Sequence, residues 1–350
     1  MQVQVQPRRQ EQLLIDLLPE LKAARVLCTS AGRAQFARLA AARWPQASVH
    51  CHYLDLYHSQ QAVAAEAMPG NLTIGCEPDF PPGEFDLVAL PFSARGEAEL
   101  TRDLMQAGHQ ALGASGRLIA STDNPRDQWL HEQMRSLFDT VTRRPVEGGV
   151  VYLAAKRRPL GHPKNFTCEF VFRDRRRMIL VTSRPGVFSH RRIDPGARQL
   201  IDAMEVRPGD RVLDIGCGSG TVSLAAALRG AEVHVHAVDS SARAVQCTQV
   251  GARRNGLTHL TTELNASGDY EGLGSYNLVL ANPPYYAGFH IAASFLEAGR
   301  AALRPGGQIL VVTKSPDWYR QHMGQWFDDV RGEPSKDYFV FRGIAPRAAQ

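Results

Sequence analysis

The chain has 350 residues, 44% of them hydrophobic, and a formal net charge of +5. That length predicts two domains, each able to bury a core, and the composition excludes a disordered chain. No apolar run approaches a membrane span, Met1–Gln10 carries no apolar leader segment, and the six cysteines form no Cys-x-x-Cys pair, so a cytoplasmic protein with reduced thiols, no metal and no membrane contact is expected.

Short apolar or β-branched runs bounded by turns predict strands at Arg25–Thr29, Ser48–Tyr53, Asp86–Leu90 and Arg117–Ser121, with helices between them. His50 and His52 flank Cys51 inside the second of these, which reads as strand filling and not as a metal site. Arg157–Asn165, with two prolines and a glycine among its cations, has the chemistry of a join. After it, Phe166–Arg173 and Met178–Ser183 alternate about a charged turn and predict a β-hairpin with a basic tip. A second series follows: strands at Arg211–Ile215, Val233–Val238, Leu278–Ala281 and Gln308–Thr313, and helices at Thr221–Arg229, Ala242–Asn255 and His290–Leu303.

The two series repeat each other. Arg25-Val-Leu-Cys-Thr-Ser-Ala-Gly32 resembles Arg211-Val-Leu-Asp-Ile-Gly-Cys-Gly218, and Phe85-Asp-Leu-Val-Ala-Leu90 resembles Tyr276-Asn-Leu-Val-Leu-Ala281. A glycine turn with an apolar run follows in each, and each ends in an amphipathic stretch, Trp129–Phe138 and Trp318–Phe327. The expected fold is α/β: two tandem Rossmann-like domains, each a mostly parallel sheet with helices on both faces. The boundaries expected are 1–157, a basic linker and hairpin at 158–197, and 198–350.

Candidate chemistry concentrates in the second domain. Asp214-Ile-Gly216-Cys217-Gly218-Ser-Gly220 follows a strand and precedes a helix, and its glycines let the backbone approach a ligand closely. The spacing G-x-G-x-G differs from the dinucleotide fingerprint G-x-G-x-x-G. A carboxylate at the strand end suits the amino group of methionine and would repel a pyrophosphate. Asp239, with Ser240 beside it, ends the next strand, where a carboxylate can accept from both ribose hydroxyls. Asn265 and Ala266 are expected at the end of the third strand, where an adenine ring would rest. This set points to S-adenosylmethionine.

Asn282-Pro283-Pro284-Tyr285 follows the strand Leu278–Ala281. The prolines stiffen the turn and leave carbonyls without local partners. Together with the Asn282 side-chain oxygen they are acceptors for the hydrogens of an exocyclic amine, whose lone pair is otherwise delocalised into its ring. Tyr285 or Tyr286 can stack on the base.

With these residues in place the chain resembles the tandem bacterial ribosomal RNA guanine-N2 methyltransferases (RsmC/RlmG type), of class I. The segment Pro185-Gly-Val-Phe-Ser189, followed by Ile193-Asp-Pro-Gly-Ala-Arg198, and the turn Leu303-Arg-Pro-Gly-Gly307 carry the rest of the likeness. Where that family more often has Phe and His after the prolines, this chain has Tyr285 and Tyr286. The resemblance implies a cofactor-free N-terminal domain that helps hold RNA and a C-terminal domain that methylates a guanine, in a monomer acting on ribosomal RNA or a ribosomal subunit. A nitrogen methyltransferase for adenine or protein glutamine, and a non-enzymatic RNA-binding or assembly factor, are the alternatives.

The N-terminal copy reads as inactive: Cys28 stands for Asp214, Ser30 for Gly216, Ala34 for Gly220, and Pro91-Phe-Ser-Ala94 for the acceptor loop, with Asp55 as a shifted remnant of Asp239. Arg173, Arg175, Arg176, Arg177, Arg184 and Arg191 are the expected RNA contacts. Phe188 is expected to be a packing anchor.

Overall fold

The computed structural model describes residues 6–65, 67–284 and 289–347. The chain forms two compact units, Met1–Phe166 and Thr167–Gln350. The first runs α1 (Arg9–Ile15), β1 (Arg25–Thr29), α2 (Gln35–Arg43), β2 (Ser48–Tyr53), α3 (Leu56–Ala65), β3 (Leu72–Cys76), β4 (Phe85–Phe92), α4 (Ala98–Ala111), β5 (Leu112–Thr122), α5 (Trp129–Arg135), β6 (Val141–Val146) and β7 (Gly149–Ala155). Its seven strands lie in the order β3-β2-β1-β4-β5-β7-β6, parallel through β5 and closed by an antiparallel hairpin.

The second unit opens with a hairpin, β8 (Cys168–Asp174) and β9 (Arg177–Ser183). It continues through α6 (Pro195–Ala203), β10 (Arg211–Ile215), α7 (Thr221–Ala227), β11 (His234–Asp239), α8 (Ala242–Arg254), β12 (Leu260–Leu264) and β13 (Tyr276–Ala281). It ends with α9 (Phe289–Ala302), β14 (Leu303–Thr313), α10 (Pro316–His322), β15 (Asp328–Ser335) and β16 (Tyr338–Ile344). The order β12-β11-β10-β13-β14-β16-β15 repeats that of the first unit.

Each sheet is buried on both faces, which is why its central strands read as unbroken apolar runs. In β10, Val212 faces a core with Leu200, Leu224 and Val235, while Leu213 and Ile215 face one with Val279, Leu296 and Phe341. In β1, Val26 and Cys28 meet Phe36 and Val49, and Leu27 meets Val88 and Leu118. These are the two tandem Rossmann-like domains expected from the repeat.

From α1 to α3 and from α6 to α8 the elements keep one constant separation along the chain. This aligns Glu11 with Ala197, Ser30 with Gly216, Ala34 with Gly220, Tyr53 with Asp239 and Asp55 with Ser241. The reading of Asp55 as a remnant of Asp239 is therefore corrected. Tyr53 holds that place, and Asp55 caps α3 by accepting the His58 N–H at 3.0 Å, as Ser241 caps α8 by accepting that of Ala244 at 3.3 Å.

The basic hairpin packs into the second unit. Phe172, Ile179 and Val181 enter its core, and Asp174 makes a bidentate pair with Arg229, both oxygens at 2.9 Å and both side chains more than nine-tenths buried. Phe188 is not the anchor that was expected: it is 51% exposed, and its neighbour Val187 is buried against Ala244 and Cys247.

Candidate active site

The chain passes from β10 to β11 on one side and later crosses to β13 on the other, so the sheet's switch point lies between β10 and β13. In open α/β sheets ligands bind outside the carboxyl ends of the strands at such a point. Asp214–Gly220 leave β10 there, Asp239 ends β11, Asn265 and Ala266 follow β12, and Asn282 follows β13.

The glycine loop is tied to β11. The Gly216 and Cys217 N–H groups donate to Val238 O at 2.9 and 3.0 Å, and the Gly218 N–H donates to Asp239 Oδ2 at 2.8 Å. The other Asp239 oxygen accepts from the Ser241 N–H at 2.8 Å. Gly220 starts α7 at φ +81°, where a Cβ would lie 2.8 Å from Thr248 Oγ1. Gly218 has φ +56°, and a Cβ there would meet nothing within 4 Å, so this stretch of backbone borders open space. Asp239 and Ser240 are half-buried at the same edge.

Two loop residues are placed differently from expectation. Asp214 is 2% exposed; it lies beneath the loop and accepts a hydrogen bond from Ser223 Oγ on α7. Burial, with Asp239 nearby, pushes its carboxyl up to about 7. The Cys217 side chain also turns inward, with Sγ 3.4 Å from Thr248 Oγ1, and is buried beneath the loop. Burial pushes this thiol well above the ordinary range.

Asn265 organises the turn after β12. Its oxygen accepts from the Ser267 and Gly268 N–H groups at 2.9 and 3.2 Å, and its amide donates to Glu263 Oε1 and Asp269 O at 2.6 and 2.9 Å. Its side chain therefore shapes the strand end, and Ala266 lies half-buried beside it.

Asn282 is half-buried, and its Nδ2 donates to Asp194 Oδ2 at 3.0 Å. Asp194 also caps α6, the same oxygen accepting the Ala197 N–H at 2.8 Å. A carboxylate accepts and cannot donate, so it selects the NH2 end of the amide and makes Oδ1 the acceptor end. Pro283 is buried and Pro284 half-buried. Tyr285 and Tyr286 lie outside the described residues. Sequence reasoning missed Asp194; an Asp-Pro pair signals a helix cap, but not a partner 88 residues away.

The segment leading into α6 is held at both ends of this edge. Arg243 Nη1 donates to Pro185 O at 2.9 Å and Arg184 Nη1 to Gln246 Oε1 at 2.7 Å on α8, while Asp194 reaches Asn282 beyond β13. Arg184 is thus engaged with α8, whereas Arg173, Arg175, Arg176, Arg177 and Arg191 are exposed. Arg173 and Arg175 also border a cleft of about 520 Å³ with Arg198, Asp202 and Lys336, floored by the Asp174–Arg229 pair. Arg198 and Lys336 are far apart in sequence, and no local signal pairs them.

All six cysteines are free thiols, and among the described residues no group of three or more His, Cys, Asp or Glu could hold a metal. No described helix is long and apolar enough to cross a membrane.

The two units form a tandem pair of Rossmann-like domains, and only the second carries the glycine loop and the Asn-Pro-Pro turn. Residues 178–342 match the model of the methyltransferase small domain family. A ribosomal RNA small subunit methyltransferase C of Chromohalobacter salexigens is 34% identical over 163 residues, covering 44% of this chain and 46% of that protein. One from Pseudomonas entomophila is 33% identical over 141 residues, covering 39% and 42%. The chain spans about half the length of the curated relatives it matches. The T. thermophilus 16S rRNA N2 G1207 methyltransferase (RsmC), solved with AdoMet and guanosine, superposes over 95% of this chain and 91% of its own. The TM-score is 0.77 at 22% identity, a likeness that extends the shared fold across both units.

Proposed function

We propose that the second unit transfers a methyl group from S-adenosylmethionine to the exocyclic N2 amine of a guanine in ribosomal RNA. The observation that carries this reading is the meeting, on adjacent strand ends, of an Asp239-tied glycine loop and an Asn282 amide oriented by Asp194. The names of the curated relatives, and of the solved protein bound to AdoMet and guanosine, support the substrate.

The residues present fit the cofactor. Asp239, at the end of β11 beside the glycine loop, is a carboxylate of the kind that accepts from ribose hydroxyls. The open backbone at Gly218 admits a close ligand, with Ser240 and Ala266 flanking it, while Gly216 and Gly220 let the loop turn at positive φ against Phe295 and Thr248. Asp214 supports the loop from below and contributes negative potential under a cationic ligand. The bound cofactor supplies the electrophilic methyl. Asn282 Oδ1 and the Pro283 carbonyl accept from the amine hydrogens, drawing its lone pair out of the ring, and Pro284 holds the turn stiff. Tyr285 or Tyr286 supplies the ring that stacks on the base. The methylated amine becomes acidic and loses its proton to water, so no obligatory Asp, Glu or His base is assigned.

The division of labour follows the domains. Residues 1–157 help hold RNA, the basic hairpin with Arg173, Arg175, Arg176, Arg177 and Arg191 contacts phosphates, with Arg184 bracing its base, and 198–350 catalyse. A monomer working in the cytoplasm on ribosomal RNA or a ribosomal subunit fits this reading. Mapping modified nucleosides in ribosomal RNA from a strain lacking the protein tests it: one N2-methylguanosine should disappear, and an unchanged map contradicts it.

A further inference from the structure

The first unit has lost the residues for a cofactor, yet its loop is occupied. The Glu11 carboxylate is fully buried at the place where β1 turns into α2. Ser30 Oγ lies 3.0 and 2.8 Å from its two oxygens, and the Phe36 N–H donates to it at 3.1 Å. The backbone groups of Ala31 and Gln35 hydrogen-bond it as well. Tyr53, in the register position of Asp239, donates its hydroxyl to Gly32 O at 3.0 Å and closes the same loop from β2. The donors are therefore arranged around an anion, and a buried carboxylate without them would carry a large desolvation penalty. That anion belongs to the chain itself.

The second unit offers the comparison. Its residue in register with Glu11 is Ala197, which ends in a methyl group and donates only its backbone N–H to Asp194. Nothing from α6 is long enough to reach over Gly216–Gly220 from that position.

We infer that the loop of the first unit is a carboxylate-binding cradle filled by the chain's own Glu11. The residue at this place in the preceding helix, Glu11 in one unit and Ala197 in the other, decides which unit is open to a ligand. The first unit is thus held shut by an internal ligand; α1 supplies that ligand and docks on the sheet through Leu13 and Leu14. The second half of the inference rests on the cofactor reading proposed above, and the first half does not.

The test uses the full chain. Glu11→Ala empties the cradle, and its thermal midpoint should fall. Sodium formate should raise that midpoint more than sodium chloride at equal ionic strength, while wild type and Glu11→Gln, whose cradles stay filled, should respond equally to both salts. If Glu11→Ala does not fold, the same comparison is made on refolding yield. An equal response to both salts, or an equal formate effect in Glu11→Gln, overturns the cradle. In the second arm, Ala197→Glu should weaken S-adenosylmethionine binding about tenfold or more with Asp239 intact. Wild-type affinity in a folded Ala197→Glu chain overturns the role of that position. No cofactor binding by the wild type would instead sink the cofactor reading and leave the formate result standing.

Discussion

Asp194 Oδ2 accepts two hydrogen bonds at once, from the Asn282 side-chain amide at 3.0 Å and from the Ala197 backbone N–H at 2.8 Å. One atom thereby caps α6 and orients the candidate acceptor of the reaction. The two roles separate by substitution. Asp194→Ser keeps a good helix cap but is too short to reach Asn282, so stability should hold while single-turnover methyl transfer slows about tenfold. Asp194→Ala should slow transfer equally and also cost about 1 kcal/mol of stability from the lost cap. A wild-type rate in Asp194→Ser would show that Asn282 needs no such partner.

Asp239 ties the glycine loop to β11 and, in the proposed function, accepts from the ribose hydroxyls of the cofactor. Asp239→Ala should weaken cofactor binding by about 10²–10⁴-fold, since it removes two charge-assisted bonds that contribute roughly 1.5–3 kcal/mol each. Asp55→Ala should leave binding unchanged and cost only an N-cap, about 1 kcal/mol. Calorimetry should find one site per chain. Two sites, or a binding defect at Asp55, would contradict the assignment of the cofactor to the second unit.

The buried Asp214 makes stability depend on pH. Its carboxyl is raised from 3.8 to about 7, so the folded chain holds a proton that the unfolded chain releases. Its contribution is full at low pH, declines as pH rises through that window and is flat above it. Asp214→Asn keeps an acceptor for Ser223 and should remove this decline from the thermal midpoint. A cationic ligand over the loop favours the ionised form, so cofactor binding near neutral pH should release protons, as seen by calorimetry in buffers of different ionisation enthalpy. Binding enthalpies independent of the buffer would contradict this.

The exposed arginines of the hairpin turn should act on RNA affinity and not on chemistry. Replacing Arg175, Arg176 and Arg177 by Ala should reduce the salt slope of RNA binding by up to about three charges' worth and leave cofactor affinity unchanged. An unchanged slope would mark them as a solvated tip. Arg198 and Lys336, which line the same cleft as Arg173 and Arg175, should add to the same effect.

Much of this was legible locally. The parallel core strands announce themselves because both faces are buried, and the glycine loop and Asn-Pro-Pro turn sit directly after two of them. The burial of Asp214 could also have been read: it lies two residues after Val212, on the face that α7 covers, and not at the rim where the first expectation put it. The closing edge strands were not legible. Asp328–Ser335 is exposed along most of its length, so it carries no apolar alternation, and Val141–Val146 contains Pro145 and two arginines. Nor could sequence give Asp194 to Asn282 or Glu11 to Ser30, because each pair is made by the fold across distant elements. The constant separation between the two series, kept by the matching registers of β2 on β1 and β11 on β10, gives the place of Asp239 to Tyr53 and that of Ser241 to Asp55.

The central claim, that the second unit methylates guanine N2 through the Asn282 turn, is tested by single-turnover transfer. The purified chain is given methyl-labelled S-adenosylmethionine at saturation and ribosomal RNA or ribosomal subunits lacking the modification, and the RNA is then digested to nucleosides. The label should appear in N2-methylguanosine, with the Asn282→Ala rate down about 10²–10³-fold and the Asn282→Asp rate less affected, because a carboxylate still accepts. Label in an adenine nucleoside or in protein, or a wild-type rate for Asn282→Ala, would contradict it.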